Sequence, residues 1–420
     1  MEWGWRLAEL RGDKSLRRLA TEANVNHSYL WKIENRKEPG TVKVAQACDR
    51  ALGSGTELAD LARVNEDSGV TGPGLLPALR TAGRSDLDRR AFLRVAASSM
   101  AAGAIADAGP SARLGERDVL AIRDMIAQFS RLDQRHGGGH ARRALNQYLY
   151  TDILEALAGR FRSEPVKGHL FSTAGEAAYL VGWMSFDDGR HDEARRSFDL
   201  AIELAEEAGD APLAGHVLRA MAHQAIDLSL NSQALRFSSA SVDGIHYRRA
   251  VPRERALLGV VHARALVAFG DHKAAARSLV RAENDLAAAK PEDEEPDRVF
   301  FFQEASLAHE TACALRDMGD LTGAIREFTR SVEARKAATF TRTHSVTLGY
   351  LAETLAMNGD LDEACTTWVR SLDSMDGIRS GRTRKVLETM NNTLQDNKAI
   401  NSGHALELRE RAADLLDTTR

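Results

Sequence analysis

One sentence of sequence is repeated four times along this chain, and it limits what the chain can fold into more than any other feature. The segments GWMSFDDGRHDEARRSFDLAIEL, ARALVAFGDHKAAARSLVRAENDL, TACALRDMGDLTGAIREFTRSVEA and LAETLAMNGDLDEACTTWVRSLDS each hold a helical run and then Gly189, Gly270, Gly319 or Gly359 beside a polar residue. Ala194, Ala275, Ala324 or Ala364 follows, and four residues later stands Phe198, Leu279, Phe328 or Trp368. Two packed antiparallel helices need these residue types. Glycine ends the first helix in a left-handed conformation, the small alanine lets the second helix approach, and the large residue one turn on fills the wedge. A degenerate copy, PLAGHVLRAMAHQAIDLSL with Ala234 at the small position, fits between the first two. The longest step between alanines, from Ala275 to Ala324, contains the acidic insertion KPEDEEPDR at 290–298, which reads as a solvated loop.

The repeat resembles the tetratricopeptide repeat, stretched beyond its usual 34 residues. Solenoids of this kind curve, with the first helix of each hairpin on the concave side. Placing the copies in register puts Glu176, Tyr179, Trp183, Asp187, Arg219, His223, Asp227, Arg264, His309, Cys313, Arg316 and Glu353 on that side. Of these, Trp183, Arg219, His223, Asp227, Arg264, His309, Arg316 and Glu353 are the candidate ligand groove. Arginines beside an aromatic ring suit a peptide's carboxylate and side chains. The alternative is that these charges pair across neighbouring helices and bind nothing. Residues 111–170 are also helical by pattern and contain HGGGH at 136–140, where three glycines predict a flexible loop rather than a metal site. The last forty residues, with helices around 384–392 and 405–416, are expected to cap the solenoid.

The front of the chain has a different logic. In SLRRLATEANVNHSYLWKIENRKEP, residues 15–39, Ser15 caps a helix whose apolar positions are Leu16, Leu19, Ala20 and Ala23. Asn24 and Val25 form a turn, and Asn26 caps a second helix that buries Leu30 and Ile33. Such a pair, with a polar outer face on the second member, is a helix-turn-helix arrangement. These residues resemble the phage-repressor-like XRE/Cro family over about residues 5–62. The resemblance implies that Glu34 is structural, that His27, Ser28 and Lys32 face bases, and that Tyr29, Asn35, Arg36 and Lys37 meet phosphates. Trp31 stacks on DNA sugar, packs on its own domain or anchors a partner. Arg36 departs from the family's usual glycine, and the first helix, from Trp3 to Arg11, is short. The chemistry suits the roles, since Lys32 can donate to guanine and cations neutralise phosphates. Nine Arg or Lys stand against five Asp or Glu between Arg11 and Arg50, within a chain of net charge -4. Two more amphipathic helices, with Cys48 on the apolar stripe, complete a five-helix domain.

Residues 64–85 have linker composition, and residues 88–110, DRRAFLRVAASSMAAGAIADAGP, look like a twin-arginine export signal. Export signals act at an exposed N-terminus, so this stretch reads as an Ala-rich helix starting near Ser85. No run of 18 apolar residues occurs, and Cys48, Cys313 and Cys365 form no pair of disulfide or zinc-ribbon spacing. No phosphate loop, nucleophile elbow, dinucleotide fingerprint or zinc-protease motif is present, so no enzyme activity and no cofactor are expected.

The expectation is therefore an all-α protein: a helix-turn-helix domain over 1–65, a linker with a connecting helix over 66–110, and a tetratricopeptide-like solenoid over 111–420, clearest over 171–380 and capped over 381–420. The whole chain resembles actinobacterial-type cytoplasmic regulators that join these two parts. That resemblance implies a homodimer on a double-stranded DNA operator, no membrane contact, and a peptide or small-molecule effector. The rival is a repeat adaptor that binds a protein partner instead of DNA.

Overall fold

A computed structural model describes residues 2–12, 14–34, 41–59, 62, 113–396 and 403–418. The linker, the twin-arginine-like stretch at 88–110 and the phosphate-contact candidates Asn35, Arg36 and Lys37 lie outside the described residues. The fold is all-α apart from two two-residue strands, Arg113–Leu114 and Arg160–Phe161, paired in parallel. Two compact units divide the chain, Met1–Phe92 and Leu93–Arg420.

In the first unit, α1 (Glu2–Arg11), α2 (Leu16–Glu22), α3 (His27–Glu34) and α4 (Val42–Leu52) surround a core of Leu7, Leu19, Leu30, Ile33, Cys48 and Leu58. Local chemistry sets the boundaries. The Ser15 hydroxyl accepts from the Arg18 N–H, and the Asn26 side chain accepts from the Tyr29 N–H at 3.1 Å. Between them Asn24 adopts φ 52, which lets the Val25 N–H reach back to the Ala20 carbonyl at 2.9 Å. Asp49 is buried and accepts from the N–H groups of Leu58 and Ala59, both at 2.9 Å, so it holds the chain that follows α4.

The second unit contains the five hairpins read from the repeats: Glu164–Asp187 with His191–Ala208, Ala211–Asp227 with Asn231–Ser241, Pro252–Phe269 with His272–Ala287, Glu304–Asp317 with Leu321–Ala334, and Thr341–Asn358 with Leu361–Asp373. All five small alanines, 194, 234, 275, 324 and 364, are fully buried, as are Phe198 and Phe328. Each hairpin turns on the same hydrogen bond, from the N–H of the residue after the left-handed position to the carbonyl five residues back. These bonds run from Arg190 to Ser185, Leu230 to Ala225, Asp271 to Leu266, Asp320 to Leu315 and Asp360 to Leu355, all between 2.8 and 3.0 Å. The polar residue next to the glycine also has a use, because Asp271 and Asp320 cap the second helices through the N–H groups of Ala274 and Gly323. In the degenerate copy Ser229 takes the glycine's place at φ 58.

Three expectations are corrected here. HGGGH is not a flexible loop: Gly137 has φ 85, and a helix starts at Gly138. A Cβ on Gly138 would stand 2.3 Å from the Met184 carbonyl oxygen, so only glycine permits this approach. The C-terminal helix Gly381–Asp396 and the chain leading into it do more than cap the last hairpin: the Arg379 N–H donates to the His136 carbonyl at 2.8 Å, the Arg379 carbonyl accepts from the Gly139 N–H at 3.0 Å, and Arg382 of the helix donates to Asp187. The fifth hairpin therefore returns to the start of the unit. The insertion at 290–298 is not simply solvated either, because the side chain of its last residue, Arg298, is buried against Glu176 and Glu254.

Ser229→Gly should stabilise the unit by about 1 kcal/mol, because a left-handed conformation costs roughly that for a residue with a side chain. Gly138→Ala should destabilise it by about 2 kcal/mol or more. Urea unfolding followed by circular dichroism tests both, and a neutral Gly138→Ala would refute the close approach.

Candidate functional site

On α3, Leu30 and Ile33 turn inward while His27, Ser28, Trp31 and Lys32 are exposed and Tyr29 is half-buried. Trp31 has 43% of its surface open. Glu34 is held by Arg11, whose Nε and Nη2 donate to one carboxylate oxygen at 3.2 and 2.7 Å. The helix is thus pinned at its N-terminus by Asn26, along its inner face by Leu30 and Ile33, and at its end by an ion pair. What remains outward is a short polar face with one cation, Lys32, and one large ring. A rigid helix of this kind can offer donors to base edges or an aromatic anchor to a partner.

In the second unit the side chains selected by register do converge, but they do not line an open groove. Trp183, Arg219, His223 and His309 are buried. The guanidinium groups of Arg219 and Arg382 each lie 5.3 Å from the Trp183 ring centre, and the His223 ring meets it edge-on at 5.6 Å. Arg264 donates to Glu310 at 2.7 Å and to His223 Nε2 at 3.4 Å. Arg316 pairs with Glu353 at 3.2 Å, and Asp227 with Lys385 at 3.5 Å. The correction has a plain cause: neighbouring first helices stand close enough for these charges to satisfy one another, and buried charges left unpaired would be costly.

Several participants escaped the repeat register. Arg298, arriving from the insertion, donates to Glu176 at 2.7 Å and to both carboxylate oxygens of Glu254 at 2.7 and 3.1 Å. His216 donates from Nδ1 to Glu254 at 2.9 Å and accepts from Arg219 at Nε2, 2.8 Å away, so it is neutral with its tautomer fixed from both sides. Arg219 also donates to the Tyr179 hydroxyl at 2.9 Å. His309 faces Thr347, whose hydroxyl proton is committed to the Thr343 carbonyl, so His309 Nδ1 donates to it at 2.9 Å. Only His216, three residues before Arg219 on the same helix face, carried a readable signal. Glu254, Arg298, Glu310, Arg342 and Arg382 came from positions outside the stripe.

The densest knot joins the two ends of the hairpin series. Arg342 donates to Asp187 at 2.7 Å, to the Asp133 carboxylate at 3.0 Å and to the Asp133 carbonyl at 3.1 Å. Arg382 adds a 3.0 Å bond to Asp187, and the Gly138 N–H one of 2.9 Å. Burial opposes ionisation of Asp187, yet Arg342 and Arg382 hold its carboxyl below the ordinary range. At Asp133 burial prevails and pushes the carboxyl up against the pull of Arg342. Among the described residues, no group of three or more His, Cys, Asp or Glu side chains is placed to hold a metal, and no helix is long and apolar enough to cross a membrane. A scan against protein-family models and a search of curated proteins give no match to the sequence.

Burial, with the Arg219 charge, pushes His216 down to about 3, and burial does the same to His309. Unfolded, both titrate near 6.5. Below about pH 6.5 the unfolded chain takes up protons that the folded interior refuses, so their contribution is present above that pH and is lost as pH falls towards 3. Each should remove roughly 1 kcal/mol between about pH 7.5 and 5.5. His223 and His262 are lowered too, while the raised Asp133 acts in the opposite sense. The expected result is a lower urea midpoint at the acid end and a shallower pH slope in His309→Gln; a pH-independent midpoint would contradict the burial of these neutral rings.

Proposed function

We propose that this protein is a sequence-specific DNA-binding transcriptional regulator. In this reading the first unit is an XRE-type helix-turn-helix domain and the second a tetratricopeptide-like domain that supplies dimer contacts and responds to a peptide or small-molecule effector. One observation carries it: α3 is fixed by Asn26, Leu30, Ile33 and Glu34 while His27, Ser28 and Lys32 remain exposed. The major groove admits an α-helix, a lysine can donate to guanine O6 or N7, and the excess of cations around this helix suits a phosphate backbone. A two-fold dimer reads half-sites about 10 base pairs apart, or a small multiple of that. An effector regulates it only by binding the DNA-competent and incompetent arrangements with different affinity.

A second reading rests on the exposed Trp31 ring, which as an anchor in a partner's pocket would make the chain a repeat adaptor. Salt separates the two. DNA binding releases counterions and weakens steeply as salt rises, whereas capture of a protein through an aromatic anchor does not.

Gel-shift titration of genomic fragments, including the protein's own promoter, at two salt concentrations is the direct test. Lys32→Ala is expected to cost about 1–3 kcal/mol and to relax base preference at one position of each half-site. Equal operator affinity in the variant would remove Lys32 from the readout, and no specific fragment at either salt would favour the adaptor.

A further inference from the structure

The turns inside the hairpins of the second unit form one edge of the series, and that edge carries apolar side chains that the core does not use. Phe269 stands immediately before the left-handed Gly270, Met318 before Gly319, and Leu228 before Ser229, which takes the glycine's place. Met357 lies two residues before Gly359. Phe269 and Met357 have 54 and 56% of their surface open, Leu228 and Leu230 are exposed, and Met318 is half-buried. Four of the eleven large hydrophobic side chains exposed among the described residues thus sit in three short turns. Single exposed apolar residues need no explanation, whereas a row of them in equivalent positions marks an interaction surface. Among the described residues nothing covers the edge at its glycines, since a Cβ added to Gly270, Gly319 or Gly359 would meet no atom within 4 Å.

The spacing of the row follows from the packing behind it. Arg264 bonds His223 on one neighbouring helix and Glu310 on the other, and Arg316 reaches Glu353 at 3.2 Å. Such bonds hold the first helices side by side, so successive turns stand about 10 Å apart. Seven residues of α-helix rise about 10.5 Å, so a helix laid along the edge presents one residue in seven to each turn. From Leu228 to Met357 the row spans roughly 30 Å, the length of about twenty helical residues.

Charge selects the occupant. The turn segments 227–233, 269–273, 316–321 and 357–363 hold seven carboxylates against two cations, Lys273 and Arg316. Lys385 neutralises Asp227, which leaves four acidic charges in excess. Asp271 and Asp320 accept backbone N–H groups, which cancel no charge. A second copy of the chain would set acidic turns against acidic turns and be repelled, whereas a partner with cations beside its apolar residues is attracted. We propose that this edge docks an amphipathic α-helix of a partner protein, with large apolar residues seven positions apart and lysine or arginine flanking them. The apolar residues meet Leu228, Phe269, Met318 and Met357, and the cations meet the carboxylates of the same turns. The contact uses neither DNA nor the α3 surface, so it stands or falls separately from the regulator reading.

Fluorescence anisotropy with the full chain, in the absence of DNA, tests it. The probe is a labelled peptide of about 22 residues, built from Ala and Lys with Leu at every seventh position, long enough to follow the row. One control replaces each Lys by Glu, and the other moves Leu to every fifth position, which scatters it around the helix. The probe is expected to bind at least about tenfold more tightly than either control. The double variant Phe269→Ser, Met357→Ser should lose about tenfold in affinity for the probe and keep its unfolding midpoint, because both side chains are already exposed. No binding of the probe at about 0.1 mM, equal affinity for the two Leu spacings, or equal affinity in wild type and variant overturns the surface. So does a dimer of the wild type that the same double variant dissociates in sedimentation, which would assign the edge to a second copy. If the variant fails to fold, the control peptides on the wild type still decide.

Discussion

The Asp187 carboxylate is the point on which the second unit depends. It is fully buried, it receives Arg342, Arg382 and the Gly138 N–H, and these partners come from the first and last parts of the unit. Ion pairs taken out of water gain little net stability, because desolvation offsets much of the Coulomb attraction. Breaking one is another matter, since a single buried charge remains. The cluster therefore acts as a constraint on geometry: five hairpins must stack with the rotation that brings Arg342 back to Asp133 and Asp187.

That constraint explains the glycines at 137–139. A superhelix whose ends meet needs backbone against backbone at the junction, and there the Met184 carbonyl and the 379–380 chain stand where side chains would otherwise be. It also explains the interior. Once the ends are joined, the concave face becomes enclosed, and the polar groups that decorate it have to satisfy one another. His216 is held neutral between Glu254 and Arg219, and Arg264 bridges Glu310 and His223. An interior of this kind is rigid while intact and sensitive to acid, because its histidines stay unprotonated only inside the fold.

The first unit is organised by smaller devices. Asn26, Asp49 and the Arg11–Glu34 pair each satisfy a helix end or fix a neighbour, so that the α3 surface stays accessible on a rigid support. Its outward residues were legible because short-range rules govern them: an Asx cap fixes the helix start, and a period of 3.6 then decides that Leu30 and Ile33 face in and Lys32 faces out.

Much of the second unit was legible for the same reason. Gly359, Ala364 and Trp368 define a turn, a close approach and a wedge within ten residues, and each hairpin repeats that local arrangement. Even the stripe of Arg219, His223 and Asp227 followed from spacing on one helix. What spacing could not supply was the curvature, which accumulates over five hairpins and depends on small rotations at every interface. The sequence alone thus determined the hairpins, their small and large packing positions, and the polar stripe. Only the tertiary structure decided that the series closes, that Arg298 and Arg342 reach across it, and that the stripe pairs with side chains of neighbouring helices instead of lining an open groove. The closure, and the reach of Arg298 to Glu176 and of Arg342 to Asp133, rest on contacts between residues more than a hundred positions apart, where no local rule relates one side chain to the other.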